Sequence, residues 1–270
     1  MTKDSKIKVD YENNPFFVAT NGITKLFNLA TGVATVMIVL SVLSFFGGGV
    51  DSPEGSQREA ENFFNTVSGW SAEQWTLAVG AGLIIGLAVL MISALFGGVS
   101  AYTSAELAKG NRVALGKAFR TAFDHLWPFV WLQIVMFVKL VLWTLLFIVP
   151  GIYFAFRYSL AGVAFYDSKK NLRGNAAIQE SLKLTRNGWL TTFSSNLLFN
   201  LLTFGVLGAL ISTGVNAELY RQFGAVGDKK PQAHWLAWIT LFLPFVLVVF
   251  LFTFLIALAV GLAVGGSVGL

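Results

Sequence analysis

The sequence contains no cysteine and only two histidines among its 270 residues. The absence of cysteine excludes disulfide bonds, thiolate catalysis and cysteine-ligated metal sites. The two histidines, His125 and His234, lie in different polar stretches, and neither belongs to a zinc motif such as His-Glu-x-x-His. We therefore predict that the protein holds no metal ion and no cofactor.

Charged residues are scarce as well, at 12% of the chain, whereas they make up about a quarter of an ordinary soluble protein. Apolar residues account for 55% and are gathered in stretches of about twenty, the length of a helix that crosses a bilayer. No Asp or Glu lies within these stretches, so they lack an acid–base pair for proton transfer. The sequence predicts an integral membrane protein that is not an enzyme and has no catalytic residues.

Six segments are predicted to be transmembrane helices, namely 27–50, 75–98, 131–149, 151–166, 190–215 and 236–264. The predicted fold class is therefore all-α, a polytopic membrane helical bundle. Residues 1–26 are predicted to form an N-terminal segment. Residues 27–270 are predicted to form a single transmembrane domain with an acidic external loop at 51–74.

The charges of the loops predict the direction of the chain. The loop at 51–74 is acidic, whereas the polar stretches at 109–124 and 167–189 carry an excess of lysine and arginine. Because basic loops stay on the cytoplasmic side, we expect a multi-pass protein of the bacterial inner membrane with its N-terminus in the cytoplasm. The basic residues are dispersed over several loops, which argues against nucleic acid as a partner.

The loop at 216–234 fits this scheme poorly, since its lysines and arginines outnumber its acids in a position predicted to lie outside. An alternative is that the segment 190–215 bends at Gly205 or Gly208 into two half-crossings. Tyr220 and Arg221 would then return to the cytoplasm, and such broken helices are stable where protein covers the freed backbone.

Two cytoplasmic stretches are predicted to form amphipathic helices at the membrane interface. In 113–127, Phe119, Ala122 and Phe123 recur at helical spacing, with charged residues on the other side. The stretch 175–186 shows a similar pattern. These two helices are the predicted surface for a protein partner, beside the membrane lipids themselves.

Three features of the central third of the chain occur together. They are a Pro-Gly-Ile break at 150–152, a Tyr-Ser pair at 158–159, and an Ala-Ile-x-x-Ser segment at 177–188 that ends in a basic residue and glycine. With them the chain resembles the bacterial domain-of-unknown-function nine-seven-five family. That family is similar to the membrane domain fused to some glycerophosphoryl diester phosphodiesterases. The resemblance implies a multi-helix inner-membrane protein and supplies no ligand or mechanism.

Lys139 and Arg157 are the most unusual residues, because each lies near the middle of an apolar span, where a charge costs about 2.5 to 3.5 kcal/mol. Pro150 and Gly151 are predicted to make the tight hairpin turn between their helices. One hypothesis is that the two cations, with Asn196 and Asn200, bind an anion or a lipid headgroup. The other is that they reach an interface or bond to local carbonyls and amides.

Small residues at four-residue spacing let helices approach closely, and two such sets occur: Ala78, Gly82 and Gly86, and Gly261 with Gly265. Contacts within the bundle and contacts in an oligomer fit these sets equally well. The leading functional hypothesis is a lipid- or partner-binding membrane module. The alternative is a small transporter or channel for an anionic or small solute, with Gly205 and Gly208 among its working parts.

Overall fold

The structure is a computed structural model that describes residues 11–47, 53–170, 172–203, 205–229 and 232–266. Every regular element in these ranges is a helix. The first half of the chain forms α1 (Pro15–Leu29), α2 (Thr31–Gly47), α3 (Pro53–Ser68), α4 (Ala72–Ala108), α5 (Leu115–Asp124) and α6 (Leu126–Leu146). The second half forms α7 (Ile148–Tyr158), α8 (Ala161–Tyr166), α9 (Asn175–Leu184), α10 (Trp189–Leu202), α11 (Gly208–Val226) and α12 (Trp235–Gly266).

Four helical stretches of the described chain are long and apolar enough to cross a membrane: α4, α6, α7 with α8, and α12. A fifth is added if α1 and α2, which bend by 113° at their junction, count as one span. Among the 18 most apolar consecutive residues of each stretch, the fraction that is buried within the protein is 6% in α4, 17% in α6, 39% in α7–α8 and 0% in α12. The apolar surface therefore faces outward, as expected of a multi-pass membrane protein whose solvent is lipid.

The helices divide lengthwise into a packed half and an exposed half. In α4 the buried residues begin at Ala94 and continue to Leu107, whereas large side chains nearer its start, such as Ile84, are exposed. In α6 the order is reversed, since Phe129 and Leu132 are buried and Leu145 is exposed. The core thus lies at one end of the bundle, and the apolar halves of the helices extend away from it.

α1 and α11 make the tightest crossing in this core. A Cβ added to Gly214 would lie only 2.7 Å from the carbonyl oxygen of Gly22, so both positions require glycine. Close backbone approach through small residues is the usual way in which membrane helices gain packing energy. Residues 15–26, predicted as part of the N-terminal segment, therefore belong to the helical core. Residues 1–10 lie outside the described ranges.

The hairpin of α6 and α7 reverses at Phe147, whose φ of −161° and ψ of 144° are extended. Pro150 and Gly151, the predicted turn residues, lie instead in the first turn of α7. Proline is tolerated there because the first N–H groups of a helix have no intrahelical partner. Gly151 serves the contact between the helices, since an added Cβ would lie 3.0 Å from the Cα of Thr144.

The predicted span at 190–215 consists of two helices, α10 and α11. They are separated by a turn in which Gly205 has a φ of +75°, a left-handed conformation that favours glycine. The hydroxyl of Tyr220 on α11 donates a hydrogen bond of 2.9 Å to Asp167, in the basic stretch after α8. The C-terminal end of α11 consequently lies beside that stretch, as in the alternative with a bend at Gly205 or Gly208.

Helices also occur at both predicted amphipathic stretches. α5 buries Ala118 and Ala122 and exposes Phe123, and α9 buries Ala177 and Ile178. The predicted loop at 51–74 contains α3 and the Ser71 capping box that starts α4. Residues 48–52 lie outside the described ranges.

Candidate functional site

A polar pocket of about 430 Å³ lies at the packed end of the bundle. It is formed by the end of α4, by α5, by α8 and by the segment that follows α8. The side chains that line it are Tyr102, Glu106, Lys117, Thr121, His125, Phe165, Tyr166, Asp167, Ser168 and Arg173. We call this the basic pocket, because Lys109 pairs with its two carboxylates, whereas its two cations, Lys117 and Arg173, form no ion pair within the described residues. Lys117 attracts Glu106 only at longer range.

Lys109 engages both carboxylates of the basic pocket. Its Nζ donates to Glu106 at 2.9 Å and lies 3.5 Å from Asp167. Glu106 also accepts a hydrogen bond of 2.8 Å from Asn111. Both acids thus pair with a cation that does not itself line the pocket.

Asp167 is ionised and firmly held, although only 6% of its surface is exposed. Burial alone would raise its pKa, but hydrogen bonds from the Tyr220 hydroxyl and the Lys169 amide, with the charge of Lys109, lower the pKa below its usual value. The hydrogen bond between Tyr220 and Asp167 shifts the pKa of the tyrosine in the opposite direction. Burial and the hydrogen bond to Asp167 raise the pKa of Tyr220.

Lys117 and Arg173 supply the positive charge of the pocket. Within the described residues neither forms an ion pair with a carboxylate. The guanidinium of Arg173 lies over the ring of Phe165, 4.7 Å from its centroid, which leaves its edge N–H donors for a ligand. An anion is the complement of such a pair.

Tyr166 forms the floor of the basic pocket. It is 7% exposed, and its buried hydroxyl has no hydrogen-bond partner among the described residues. This hydroxyl packs against Gly98, where an added Cβ would lie 2.8 Å from the oxygen. A buried hydroxyl without a partner costs free energy, and here close packing leaves no surface of the oxygen open to the pocket.

His125 adds a titratable group to the wall. Its Nδ1 lies 3.0 Å from the carbonyl oxygen of Thr121 and so carries the proton in that contact. The Nε2 atom is then an acceptor in the neutral ring and a donor in the charged ring.

The pocket wall continues onto the exposed side of α6. Gly174, next to Arg173, lies against Trp131, whose side chain is 62% exposed. The next residue, Asn175, accepts a hydrogen bond from Lys139, which lies well along the same apolar helix. The segment 173–175 therefore connects the cationic wall to a surface that we assign to lipid.

The four residues predicted as an anion site have separate local partners. Arg157 donates to the carbonyl oxygen of Leu182 and, at 3.2 Å, to the Tyr153 hydroxyl. Lys139 instead contacts Asn175, at the other end of α9. The amides of Asn196 and Asn200 donate to carbonyl oxygens one turn earlier on their own helix, at 3.0 and 2.7 Å. These contacts match the hypothesis of local bonding, and the structure gathers a different set of cations.

Three of the predicted helix-packing residues, Ala78, Gly82 and Gly86, lie on the exposed half of α4. An added Cβ at Gly82 or Gly86 would meet nothing within 4 Å, and the same face of α4 includes Ala78. Gly261 and Gly265 lie in the last turns of α12, where side chains lie outside the described part. Contact between copies of the chain stays a prediction for both sets.

The sequence does not reveal the basic pocket, because its walls come from three separate stretches of chain. In the sequence, Tyr166 and Asp167 are only the end of a predicted span and the start of a predicted loop. One signal was present, since Lys117, Thr121 and His125 are spaced by four on one helical face. Nothing in the local pattern indicated that Arg173 would lie opposite that face.

Comparison of the chain with protein-family models, with curated proteins and with solved structures found no match. The resemblance to the domain-of-unknown-function nine-seven-five family therefore stays a prediction.

Proposed function

We propose that this chain is a non-enzymatic membrane module that binds an anionic lipid headgroup in the basic pocket. A phosphate group is the favoured anion because it accepts forked hydrogen bonds from arginine and a further bond from lysine. The observation that carries the proposal is that Lys117 and Arg173 line one pocket and neither pairs with a carboxylate in the described chain.

The position of the pocket supports a lipid as the source of the phosphate. The segment from Arg173 to Asn175 runs from the pocket to the exposed face of α6, so a bound headgroup can keep its acyl chains against apolar helix. The exposed Trp131 stands at this junction, and tryptophan is enriched where membrane meets water.

We further propose that the packed end faces the cytoplasm of a bacterial cell and that the membrane is the inner membrane. The basic stretches support this orientation. Two contacts at this end support the proposal. Lys25 on α1 pairs with Glu218 on α11, and Tyr220 on α11 donates to Asp167 after α8. The N-terminal helix, the stretch after α8 and the end of α11 then share one face.

Lipid binding can be tested by native mass spectrometry of the purified protein with phosphatidylglycerol. We expect the Lys117→Ala/Arg173→Ala double variant to lose at least about tenfold in affinity, since a hydrogen bond to a charged group contributes about 1.5 to 3 kcal/mol. The matched control is Lys183→Ala/Arg186→Ala, which removes two exposed cations of the α9 region outside the pocket.

Calorimetric titration with inorganic phosphate separates the two sources of the anion. Binding of phosphate as tight as that of the lipid would identify a free anion as the ligand. Equal lipid occupancy in the wild type, the pocket variant and the control would contradict the proposal.

A further inference from the structure

A second, smaller cavity of about 120 Å³ lies inside the bundle, between α4, α6, α8 and α11. Its lining combines apolar side chains with five polar ones: Ser100, Ser104, Gln133, Ser159 and Asn216. Within the described chain no acidic or basic residue lines it. The basic pocket and this internal cavity therefore differ in chemistry.

The three serine hydroxyls of the cavity have already used their protons. Ser104 donates to the carbonyl oxygens of Ser100 and Thr213, at 2.9 and 2.8 Å, and Ser159 donates to that of Phe156. Ser100 lies 2.6 Å from the hydroxyl of Thr213, which in turn donates to a backbone carbonyl, so Ser100 is the donor of this pair. Each hydroxyl is left with lone pairs and no free proton.

Asn216 adds an amide to the lining. Its Oδ1 atom is buried, has no surface open to the cavity and has no hydrogen-bond partner among the described residues. Its Nδ2 atom is not fully buried and forms no hydrogen bond within the described residues, so the N–H groups are the part of this amide that an occupant can reach. The Gln133 amide likewise keeps a donor and an acceptor in reserve.

The size of the cavity limits the occupant. At about 30 Å³ per water molecule, its volume suits about four waters or a solute of similar size. A cation would also find acceptors here, but burying a charge without a counter-ion is far more costly than burying a neutral donor. The complement of this lining is a small neutral molecule with N–H or O–H donors for the serine oxygens and an acceptor for the two amides.

The cavity lies between two larger openings. Gly97 and Ser100 line both the cavity and a groove of about 850 Å³ that is bordered by α2, α4 and the turn at Gly205. On its other side, Phe129 lines the cavity and packs against Tyr166, the floor of the basic pocket, with ring centroids 5.4 Å apart. Two aromatic rings therefore separate the internal cavity from the basic pocket.

We infer that the internal cavity is a binding station for a small neutral solute with N–H or O–H donors, on a passage that Phe129 and Tyr166 close. This activity goes beyond lipid binding. The cavity has its own lining, and Tyr166 is the residue that the passage and the basic pocket share. In this transport role the solute would pass Asn216 and Gln133. Lys139 and Arg157, the cations of the α6–α7 hairpin, do not line the internal cavity.

The test uses the full chain in vesicles of neutral phosphatidylcholine. Urea is the probe because its four N–H groups match the serine oxygens and its carbonyl oxygen matches the amide N–H groups of the lining. Urea entry is followed by stopped-flow light scattering. We expect entry at least about twofold faster than in protein-free vesicles, and a further rise in Phe129→Ala, which opens the aromatic partition. Asn216→Leu and Gln133→Leu should return the rate to the protein-free value.

Asn65→Leu is the matched control, since Asn65 is exposed on α3 and lies far along the chain from the cavity. Its rate should equal that of the wild type. If Asn216→Leu does not fold, Gln133→Leu still decides, because the Gln133 side chain is exposed and leucine is compatible with that position on α6. Urea entry that equals the protein-free rate in both the wild type and Phe129→Ala would overturn the proposal. Water permeation without urea entry would also overturn it.

Discussion

Gly22 and Gly214 determine how closely α1 and α11 pack. We expect Gly22→Ala to destabilise the protein by more than the 1 to 3 kcal/mol that is usual for an overpacked core, at roughly 3 kcal/mol or above. The reason is that the added methyl group would lie 2.9 Å from the backbone nitrogen of Val215, and a backbone cannot rotate away. Thermal unfolding in detergent measures the effect.

Gly80→Ala is the control for this change. An added Cβ at Gly80 meets nothing within 4 Å, so only helix propensity acts there. Alanine should then be neutral or stabilise α4 by about 0.5 to 1 kcal/mol. Equal melting temperatures for the two variants would contradict the close crossing of α1 and α11.

Glu218 should make stability depend on pH. Its side chain is 1% exposed; burial alone would raise its pKa, but hydrogen bonds from Arg221, Lys25 and Gln222 lower it to about 2. The pKa in the unfolded chain is higher, at about 4.3, so the stabilisation is complete above about pH 5 and is lost as the pH falls toward 2. The amount lost is on the order of 3 kcal/mol.

Melting temperatures between pH 7 and pH 3 provide the measurement. The wild type should lose stability over this range, whereas Glu218→Gln should start lower at pH 7 and show a shallower slope. Glu59→Gln, at an exposed position on α3, is the control and should follow the wild type. A slope in Glu218→Gln as steep as in the wild type would show that other carboxylates cause the loss.

At the scale of elements, α9 is fastened to the α6–α7 hairpin at both of its ends. Lys139 holds Asn175 at its start, and the backbone carbonyl of Arg157 accepts hydrogen bonds from Ser181 and Thr185 at its end. The guanidinium of Arg157 reaches the Leu182 carbonyl in return. The two cations of the hairpin therefore position a helix that adjoins the basic pocket.

We expect Arg157→Ala to raise the hydrogen-exchange rate of the α9 amides about tenfold, since losing one charged hydrogen bond costs about 1.5 to 3 kcal/mol of local stability. Lys139→Ala should act mainly on the first turn of α9. Arg186→Ala, an exposed position just after the helix, is the control. Unchanged exchange in Arg157→Ala would mean that packing alone holds α9.

Breaks between elements were harder to predict than the elements themselves. Pro150 and Gly151 are helix breakers by chemistry, yet the chain reverses at Phe147, because proline fits the first turn of α7 and Gly151 is needed for contact with Thr144. At Gly205 the break was one of two alternatives, since an apolar run through 190–215 gives the same hydropathy whether or not it bends.

For the whole molecule, the natural absence of cysteine makes the proposed orientation directly testable. Single cysteines can be placed at Gln179 on α9, Gly224 on α11 and Asn65 on α3, all exposed. A membrane-impermeant maleimide should label Asn65→Cys in intact cells. It should label Gln179→Cys and Gly224→Cys only in inverted vesicles, because both lie at the packed end.

The cysteine-free parent provides a background of zero. Labelling of Gly224→Cys in intact cells would place the end of α11 outside the cell. It would then favour the alternative in which the segment 190–215 crosses the membrane once. Labelling of all three variants from one side would contradict both the span assignment and the direction of the chain.

The sequence by itself determined that the chain is helical and has several helices long and apolar enough to cross a membrane, because length and hydropathy are sums over neighbouring residues. It also placed α5 and α9 and gave both alternatives for 190–215. Only the tertiary structure decided which distant groups meet: Lys117 with Arg173 in one pocket, and Asn216 with Ser100 in another. Such pairs depend on how α4, α8 and α11 pack, and no local pattern records that geometry.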